Sequence, residues 1–197
     1  MSTTPLTGGR KFVFLLASSR LDGNTETLAR QAADALPADV EQEWLRLKDL
    51  PVPAFEDRRH DGAGTYPEPD GNSRVLLDAT LTATDLVIAS PLYWYSLSAA
   101  AQLYLDHWSG WMRVPGLDFK PRMAGKTLWG VTALSSEDRS MADPLVGTLR
   151  NCASYMGMHW GGALLGLGNA PGTVLGDTDA LSTARTFFAD DRASLRV

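Results

Sequence analysis

The stretch KFVFLLASSRLDGNTETLARQAADAL, Lys11–Leu36, joins an apolar run to a helix-forming segment through a short polar loop. Apolar residues are nearly continuous over Lys11–Ala17 and do not alternate, which is typical of a strand covered on both faces. Over Thr25–Leu36 they recur at every fourth position, as on one face of a helix, and Asn24 is a good N-cap for that helix. The stretch predicts one strand–loop–helix unit of a parallel sheet.

The same alternation of strand and helix continues along the chain. Further strands are predicted at Leu86–Ser90, Thr127–Ala133 and His159–Gly166, with the more polar Val40–Leu47 as an edge strand. Further helices are predicted at Arg74–Thr84, Ser98–His107, Asp143–Met156 and in a last segment behind Asp179. This order predicts a three-layer, doubly wound α/β domain, in which ligands bind beyond the carboxyl ends of the strands. The candidate binding loops therefore follow the first, third and fourth strands.

Length and composition favour a single domain over residues 1–197, with residues 1–10 as a flexible N-terminus. The net charge of −5, without a cluster of Lys and Arg, argues against a nucleic-acid partner. One cysteine, Cys152, excludes a disulfide framework and a cysteine-rich metal or iron–sulfur site. The apolar run Phe12–Ala17 is shorter than the ~7–15 residues of a signal-peptide core, so we expect a cytoplasmic protein without a membrane span.

The loop after the first strand has the chemistry of an anion site. The backbone N–H groups at the start of a helix favour a phosphate. Ser18 and Thr25 add hydroxyl donors, and Asn24 adds an amide donor. Arg20 contributes a forked cation, while Gly23 lets the chain turn close to the anion. The G-x-G-x-x-G of dinucleotide-binding folds is missing here, and an ordinary capped turn with a surface arginine remains the alternative.

Three large aromatic residues, Tyr93 to Tyr95, follow the third strand and Pro91. Consecutive aromatic side chains in a turn cannot all be buried in one direction, so some are expected to face a flat partner. Packing against the neighbouring helix or a second subunit is the alternative. Next to a phosphate loop, this turn favours a ligand in which a planar ring is joined to a phosphate.

The segments SSRLDGNT (Ser18–Thr25) and SPLYWYSLS (Ser90–Ser98) together resemble the NADPH-dependent FMN reductases and the related flavodoxin-like NAD(P)H:quinone oxidoreductases. The resemblance implies the sheet order 2-1-3-4-5, FMN as the cofactor and NADPH or NADH as the co-substrate. It places the FMN phosphate and ring at two sets of residues: Ser18, Arg20, Asn24 and Thr25, then Pro91, Leu92, Tyr93 and Trp94. A third contact is implied at Ala133, Ser135 and Ser136, although the glycines that are frequent in the family are missing from this loop.

The resemblance also implies a reaction. FMN would take a hydride from NAD(P)H and pass electrons to a quinone, an azo or nitro compound, or free flavin, in a ping-pong cycle without a catalytic side chain. The family is commonly dimeric, so a homodimer or homotetramer is expected. A flavodoxin-like electron carrier acting on protein partners and a non-catalytic module of this fold remain open. The modest net charge and Arg20 favour the reductase over the carrier.

Other residues carry weaker signals. A metal site is not expected, because no ligand-type spacing relates the histidines His60, His107 and His159. The GKT at Gly125–Thr127 precedes a strand instead of following one, which argues against a P-loop. Trp108 and Trp111 are open to three interpretations: an acceptor pocket, a subunit interface or the core. Pro51–Arg74, with four prolines, is expected to be a surface loop.

Overall fold

A parallel sheet of five strands forms the centre of the computed structural model, which describes residues 9–189. The strands are β1 Lys11–Leu16, β2 Glu41–Arg46, β3 Asp85–Ala89, β4 Thr127–Leu134 and β5 His159–Leu167. They are hydrogen-bonded in the order β2-β1-β3-β4-β5, and every pairing is parallel. The predicted fold class and strand order are therefore confirmed. Most of the predicted flexible N-terminus, residues 1–8, lies outside the described residues.

Helices connect the strands on both faces of the sheet. They are α1 Asn24–Ala33, α2 Gly71–Thr82, α3 Ala99–Trp111, α4 Phe119–Met123, α5 Asp143–Met156 and α6 Thr178–Phe187. The short helix α4 was not predicted, because five residues are too few to show a helical period. Ser98 is the N-cap of α3, and its hydroxyl accepts a hydrogen bond from the N–H of Ala101 at 3.3 Å.

Two apolar layers explain why the strands lack alternation. Phe12 and Phe14 of β1 pack on one face of the sheet with α1 and α6, while Val13 and Leu15 pack on the other with α2, α3 and α5. Both faces of β1 are thus buried away from water, so these successive residues of the strand are all apolar. Trp108 and Trp111 belong to the second layer and are only 4% and 3% exposed. Of their three interpretations, the structure supports core packing, with edge-to-face contacts to Tyr104 and Phe119.

An ion pair at the amino edge of the sheet links the two ends of the described chain. The guanidinium of Arg10 donates to both carboxylate oxygens of Asp85, at 2.8 and 3.2 Å, and to the carbonyl of Phe188 at 3.0 Å. The indole N–H of Trp129 adds a third donor to Asp85 at 3.1 Å. Burial disfavours the ionised carboxylate of Asp85, but the hydrogen bonds from Arg10, Thr84 and Trp129 outweigh it and lower its pKa.

Lys126, the lysine of the GKT segment, has a structural role. Its ammonium group is buried and donates to the carbonyl oxygens of Leu81, at 2.9 Å, and of Ala83. These carbonyls lie at the end of α2, where a cation complements the helix dipole. Lys126 therefore caps the carboxyl end of α2, at the amino edge of the sheet, and the GKT segment does not form a phosphate-binding loop.

The pairing of β4 with β5 contains a bulge at Gly161. Leu128 pairs with Trp160 and Trp129 with Gly162, so Gly161 has no partner on β4. A Cβ on Gly161 would lie 2.4 Å from ring atoms of the buried Trp129, closer than any real contact. The glycine is required because the backbone passes directly over the indole.

We expect Gly161→Ala to lower the free energy of unfolding by about 1–3 kcal/mol, because the added methyl group must displace a packed indole. Gly147→Ala on α5 is the matched control, since a Cβ there meets no atom within 4 Å. That change is expected to stabilise the protein by about 0.5–1 kcal/mol, because alanine favours a helix interior over glycine. Urea unfolding of both variants measures the two effects, and equal destabilisation would contradict the packing argument.

The long connection Pro51–Arg74 lies on the surface, as predicted, and folds over the end of α3. The hydroxyl of Tyr66 donates to the carbonyl of Glu56 at 2.9 Å, and its ring packs on Gly110, where a Cβ would lie 3.1 Å away. His107 contacts the carbonyl of Pro53 at 2.9 Å. A cavity of roughly 230 Å³ remains between this loop and α3, and it includes one edge of Trp111.

Candidate functional site

A polar cleft of roughly 280 Å³ lies at the carboxyl edge of the sheet, where the loops after β1, β3, β4 and β5 meet. The predicted residues that line it are Ser18, Arg20, Asn24, Thr25, Pro91, Leu92, Tyr93, Ala133 and Ser135. Trp94 and Ser136 were also predicted but lie outside this lining. Four segments that are distant in sequence thus meet in one cleft, because parallel strands end at the same edge.

The first loop presents donors that the protein leaves available. The hydroxyl oxygen of Ser18 accepts from the N–H of Arg20 at 3.1 Å, and that of Thr25 accepts from the N–H of Ala133 at 3.3 Å. Each hydroxyl therefore keeps its proton for an acceptor in the cleft. The guanidinium of Arg20 is exposed and forms no ion pair or hydrogen bond with residues 9–189. Together with the open N–H groups at the start of α1, these donors fit a phosphate group.

The turn of this loop differs from the prediction in detail. Gly23 is the N-cap of α1 and has an ordinary extended backbone, with φ −72°, so its conformation does not require glycine. The left-handed residue is Asp22, with φ 49°, a conformation that aspartate tolerates better than most residues. A side chain at Gly23 would instead approach the hydroxyl of Ser18, since its Cβ would lie 3.5 Å away.

Asn24 was predicted to be the N-cap, and that prediction is wrong by one residue. The helix already begins at Asn24, and the side chain does not cap it. Its amide instead donates to the carbonyl of Ala170 at 2.9 Å and accepts from the N–H of Val174 at 3.3 Å. Both partners follow β5, so a long-range contact replaces the local cap.

The aromatic loop forms a tight turn held by two hydrogen bonds. The N–H of Tyr93 donates to the carbonyl of Ser96 at 3.1 Å, and the N–H of Ser96 donates back at 3.0 Å. The central residues Trp94 and Tyr95 have left-handed backbones, with φ 50° and 64°, which is uncommon for aromatic residues. Trp94 is 93% exposed and points a full indole into solvent beside the cleft. The three aromatic side chains are therefore exposed, and the expectation that some of them face a flat partner stays a prediction.

Hydrogen bonds anchor this loop to the residues that directly follow β1 and β3. The hydroxyl of Ser98 donates to the carbonyl of Ala17 at 2.8 Å, and the N–H of Ser98 donates to the hydroxyl of Ser90 at 2.9 Å. Both serines are buried. The aromatic turn is therefore fixed at its base, and only its tip is exposed.

Of the three residues that the resemblance implies at the end of β4 and in the loop after it, two lie in the cleft lining. Ala133 and Ser135 line the cleft, and the N–H of Ala133 is tied to Thr25. Ser136 lies beyond it, and its hydroxyl accepts from the N–H of Asp138 at 3.2 Å within a local turn. The Ser136 hydroxyl thus supports its own loop.

Sequence reasoning missed the loop after β5. Gly168 and Asn169 line the cleft, although only the loops after the first, third and fourth strands were considered. The sequence does contain a signal for a binding loop here, because the glycine-rich segment GLGNAPG, Gly166–Gly172, lies at the end of a predicted strand. The sequence does not show that this loop contacts Asn24 at the start of α1.

A buried ion cluster lies under the first turn of α1. Glu26 is 2% exposed, and its carboxylate accepts from Arg46 at 2.7 and 2.9 Å and from Arg30 at 2.8 and 3.1 Å. Burial by itself raises the pKa of Glu26, but the hydrogen bonds and charges of Arg46 and Arg30 outweigh burial. The net effect is a lowered pKa, which favours the ionised carboxylate. The carboxylate of Glu26 is thus paired with two guanidinium groups, which offset its repulsion of an anion at the start of the helix.

The other candidate residues lie apart from the cleft. His60 and His159 are exposed on a loop and at the start of β5, and within residues 9–189 no group of three or more His, Cys, Asp or Glu is arranged for a metal ion. Cys152 is partly buried on α5, and burial raises the pKa of its thiol, which makes it a poor nucleophile. No helix in the described part of the chain has the length and apolar character needed to cross a bilayer.

The fold and the cleft define a class of protein: a flavodoxin-like domain with an anion loop after β1 and an aromatic loop after β3. Residues 10–171 match the model of the NADPH-dependent FMN reductase family, and the chain belongs to that family. The resemblance stated from the two loop segments is therefore confirmed. So are the enzyme class, an FMN-dependent NAD(P)H oxidoreductase, and the cofactor and co-substrate, FMN and NAD(P)H.

Similar proteins agree with this assignment. The chain is 31% identical over 175 residues to YwqN of Bacillus subtilis, named as an NAD(P)H-dependent FMN-containing oxidoreductase, and the match covers 88% of this chain and 94% of YwqN. It is 25% identical over 182 residues to the iron–sulfur flavoprotein MJ1083 of Methanocaldococcus jannaschii, covering 89% and 92% of the two chains. The solved structure of the Trp repressor binding protein from Bacillus subtilis superimposes with a TM-score of 0.71 at 25% identity, covering 91% and 98%.

The iron–sulfur relative marks a difference in chemistry. A cluster of that kind is held by several cysteine thiolates. The present sequence has one cysteine, Cys152, which lies on α5 and outside the lining of the cleft. These 197 residues do not supply such a ligand set, so the iron–sulfur cluster in that relative's name is not carried over to this chain.

Proposed function

We propose that the chain binds FMN in the cleft and transfers electrons from NAD(P)H, in a ping-pong cycle, to a quinone, an azo or nitro compound, or free flavin. One observation carries this proposal. The available hydroxyl and guanidinium donors of the first loop and the aromatic turn of the third loop open into a single cleft. A phosphate-bearing planar ring is the ligand that uses both.

The phosphate is assigned to Ser18, Arg20, Thr25 and the N–H groups that begin α1. The ring is assigned to the loop after β3 and to the end of β4, where Pro91, Leu92, Tyr93 and Ala133 lie. When bound, FMN supplies the hydride and electron chemistry, so the reaction needs no catalytic side chain. The protein's part is to hold one planar group and to leave its open face accessible to a second.

Both substrates of the ping-pong cycle would use the same open side of the cleft. Tyr93, which lines the cleft, and Tyr95 are about half exposed, and Trp94 in the same turn is almost fully exposed. Flat aromatic side chains suit a succession of flat partners, because stacking does not require matched hydrogen bonds. This exposed turn also supports the second candidate, an electron carrier that meets a protein partner at the same surface.

The distinguishing experiment is reduction without oxygen. We expect the purified protein to take up FMN, and NADPH or NADH to bleach the flavin absorbance near 450 nm within seconds, at a rate well above that of free FMN. An electron carrier would bind FMN yet show slow or no bleaching. A protein that takes up no FMN would contradict both functions. Adding a quinone, an azo dye or free flavin to the reduced protein then ranks the acceptors.

A further inference from the structure

The first turn of α1 contacts two other parts of the cleft. Thr25 accepts a hydrogen bond from the N–H of Ala133, near the end of β4, and Asn24 holds the loop after β5 through Ala170 and Val174. The side chain of Asn24 is nearly buried, with the residue 9% exposed. Its amide oxygen and one of its N–H bonds are used within the protein.

Gly168 makes this contact possible. A Cβ on Gly168 would lie 2.8 Å from the amide carbon and nitrogen of Asn24 and 2.9 Å from the backbone nitrogen of Val174. The backbone at Gly168 therefore lies directly against the Asn24 amide, with no room for a side chain. The N–H of Gly168 also donates to the carbonyl of Leu134 at 2.8 Å, which ties the same point to the end of β4.

We propose that Asn24 is a positioning residue. It clamps the segment Gly168–Val174 against α1, so that Gly168 and Asn169 form the fourth wall of the flavin cleft. Asn24 supports flavin binding through that wall, whereas the phosphate is held by Ser18, Arg20 and Thr25. This inference rests on the proposed function, because it assigns a role in holding the same flavin.

FMN and riboflavin separate the two roles, since riboflavin has the ring and ribityl chain of FMN but no phosphate. Substituting a residue that binds the phosphate should lower the affinity for FMN alone. Substituting a residue that positions the wall should lower the affinity for both flavins. We expect Asn24→Ala to weaken FMN and riboflavin alike, by about tenfold, as for the loss of two neutral hydrogen bonds. Titrations followed by flavin fluorescence measure both affinities.

Two further variants calibrate the result. Gly168→Ala leaves the Asn24 amide in the protein but forces the wall away from it, so it should also weaken both flavins. Arg20→Ala removes a proposed phosphate donor, so it should weaken FMN only. Hydrogen exchange adds a structural readout, because the amide of Val174 loses its acceptor in Asn24→Ala and should exchange faster. Should Asn24→Ala fail to fold, Gly168→Ala makes the same comparison.

The possible outcomes separate this inference from the proposed function. If Asn24→Ala weakens the binding of FMN alone, or of neither flavin, Asn24 is not a positioning residue, and the proposed function stands. If both Asn24→Ala and Gly168→Ala weaken the two flavins equally, the positioning role is supported. If the wild-type protein binds neither flavin, the proposed function fails, and this inference fails with it.

Discussion

Replacing Arg10 by alanine is expected to lower the free energy of unfolding by about 3–5 kcal/mol, because it removes a hydrogen-bonded cation from a buried carboxylate. Asp85 is fully buried, and Arg10 supplies two of its hydrogen bonds at 2.8 and 3.2 Å. The same guanidinium also reaches the carbonyl of Phe188, so the substitution loosens the end of the described chain as well. Urea unfolding at neutral pH measures the loss.

The pH dependence of this effect has a definite sign. The pKa of Asp85 is lowered in the folded protein, so the ionised pair stabilises the fold above the ordinary aspartate value of 3.8. That stabilisation is lost as the pH falls through the lowered folded pKa. The stability difference between wild type and Arg10→Ala should therefore narrow in acid, since a protonated Asp85 no longer needs a cation.

Lys11→Ala is the matched control for Arg10→Ala. Lys11 is the next residue and also forms ion pairs, with Glu41 and Glu43 at 2.9 Å each, but its partners are partly or mainly exposed. We expect a loss below about 1 kcal/mol, because ion pairs in contact with solvent contribute little. Equal losses from the two variants would contradict the argument that burial of Asp85 sets the size of the effect.

Gly23→Asp is expected to weaken FMN binding by about 100-fold or more, because it places a carboxylate where the phosphate is proposed to bind. Gly23 has an ordinary backbone conformation, so aspartate fits there without strain. Aspartate is also a favourable N-cap residue, and its oxygen would take the N–H groups that begin α1. The variant should thus be at least as stable as the wild type while losing FMN, and riboflavin should be affected much less.

Two controls separate the contribution of charge from other effects. Gly23→Ala adds bulk near Ser18 without charge, so its effect on FMN should be much smaller than that of Gly23→Asp. Gly147→Asp adds the same charge on α5, at a position with no atom within 4 Å of the new Cβ, and should leave FMN binding unchanged. A Gly23→Asp variant that binds FMN as tightly as the wild type would exclude the first loop as the phosphate site.

The difference between predicted and observed site residues follows from the range of the contacts involved. Ser18, Arg20 and Thr25 were found because a strand, a polar loop and a helix start are adjacent in sequence and have a local chemical meaning. Gly168 and Asn169 were missed because their position depends on a contact to Asn24 from more than 140 residues away, as the bond from Val174 shows. Asn24 was predicted to be a helix cap for the same reason, because the residues next to it in sequence do not indicate its hydrogen bond to the carbonyl of Ala170.

Continuous apolar runs, helical periodicity and two loop motifs predict the layered α/β fold, its parallel strands and the family, because they are properties of neighbouring residues. Three-dimensional packing was needed to show that Trp108 and Trp111 are core residues, that Gly161 must lack a side chain and that four loops close one cleft. Each of these depends on which distant atoms meet. Local patterns specify which face of an element is buried, whereas packing specifies what it is buried against.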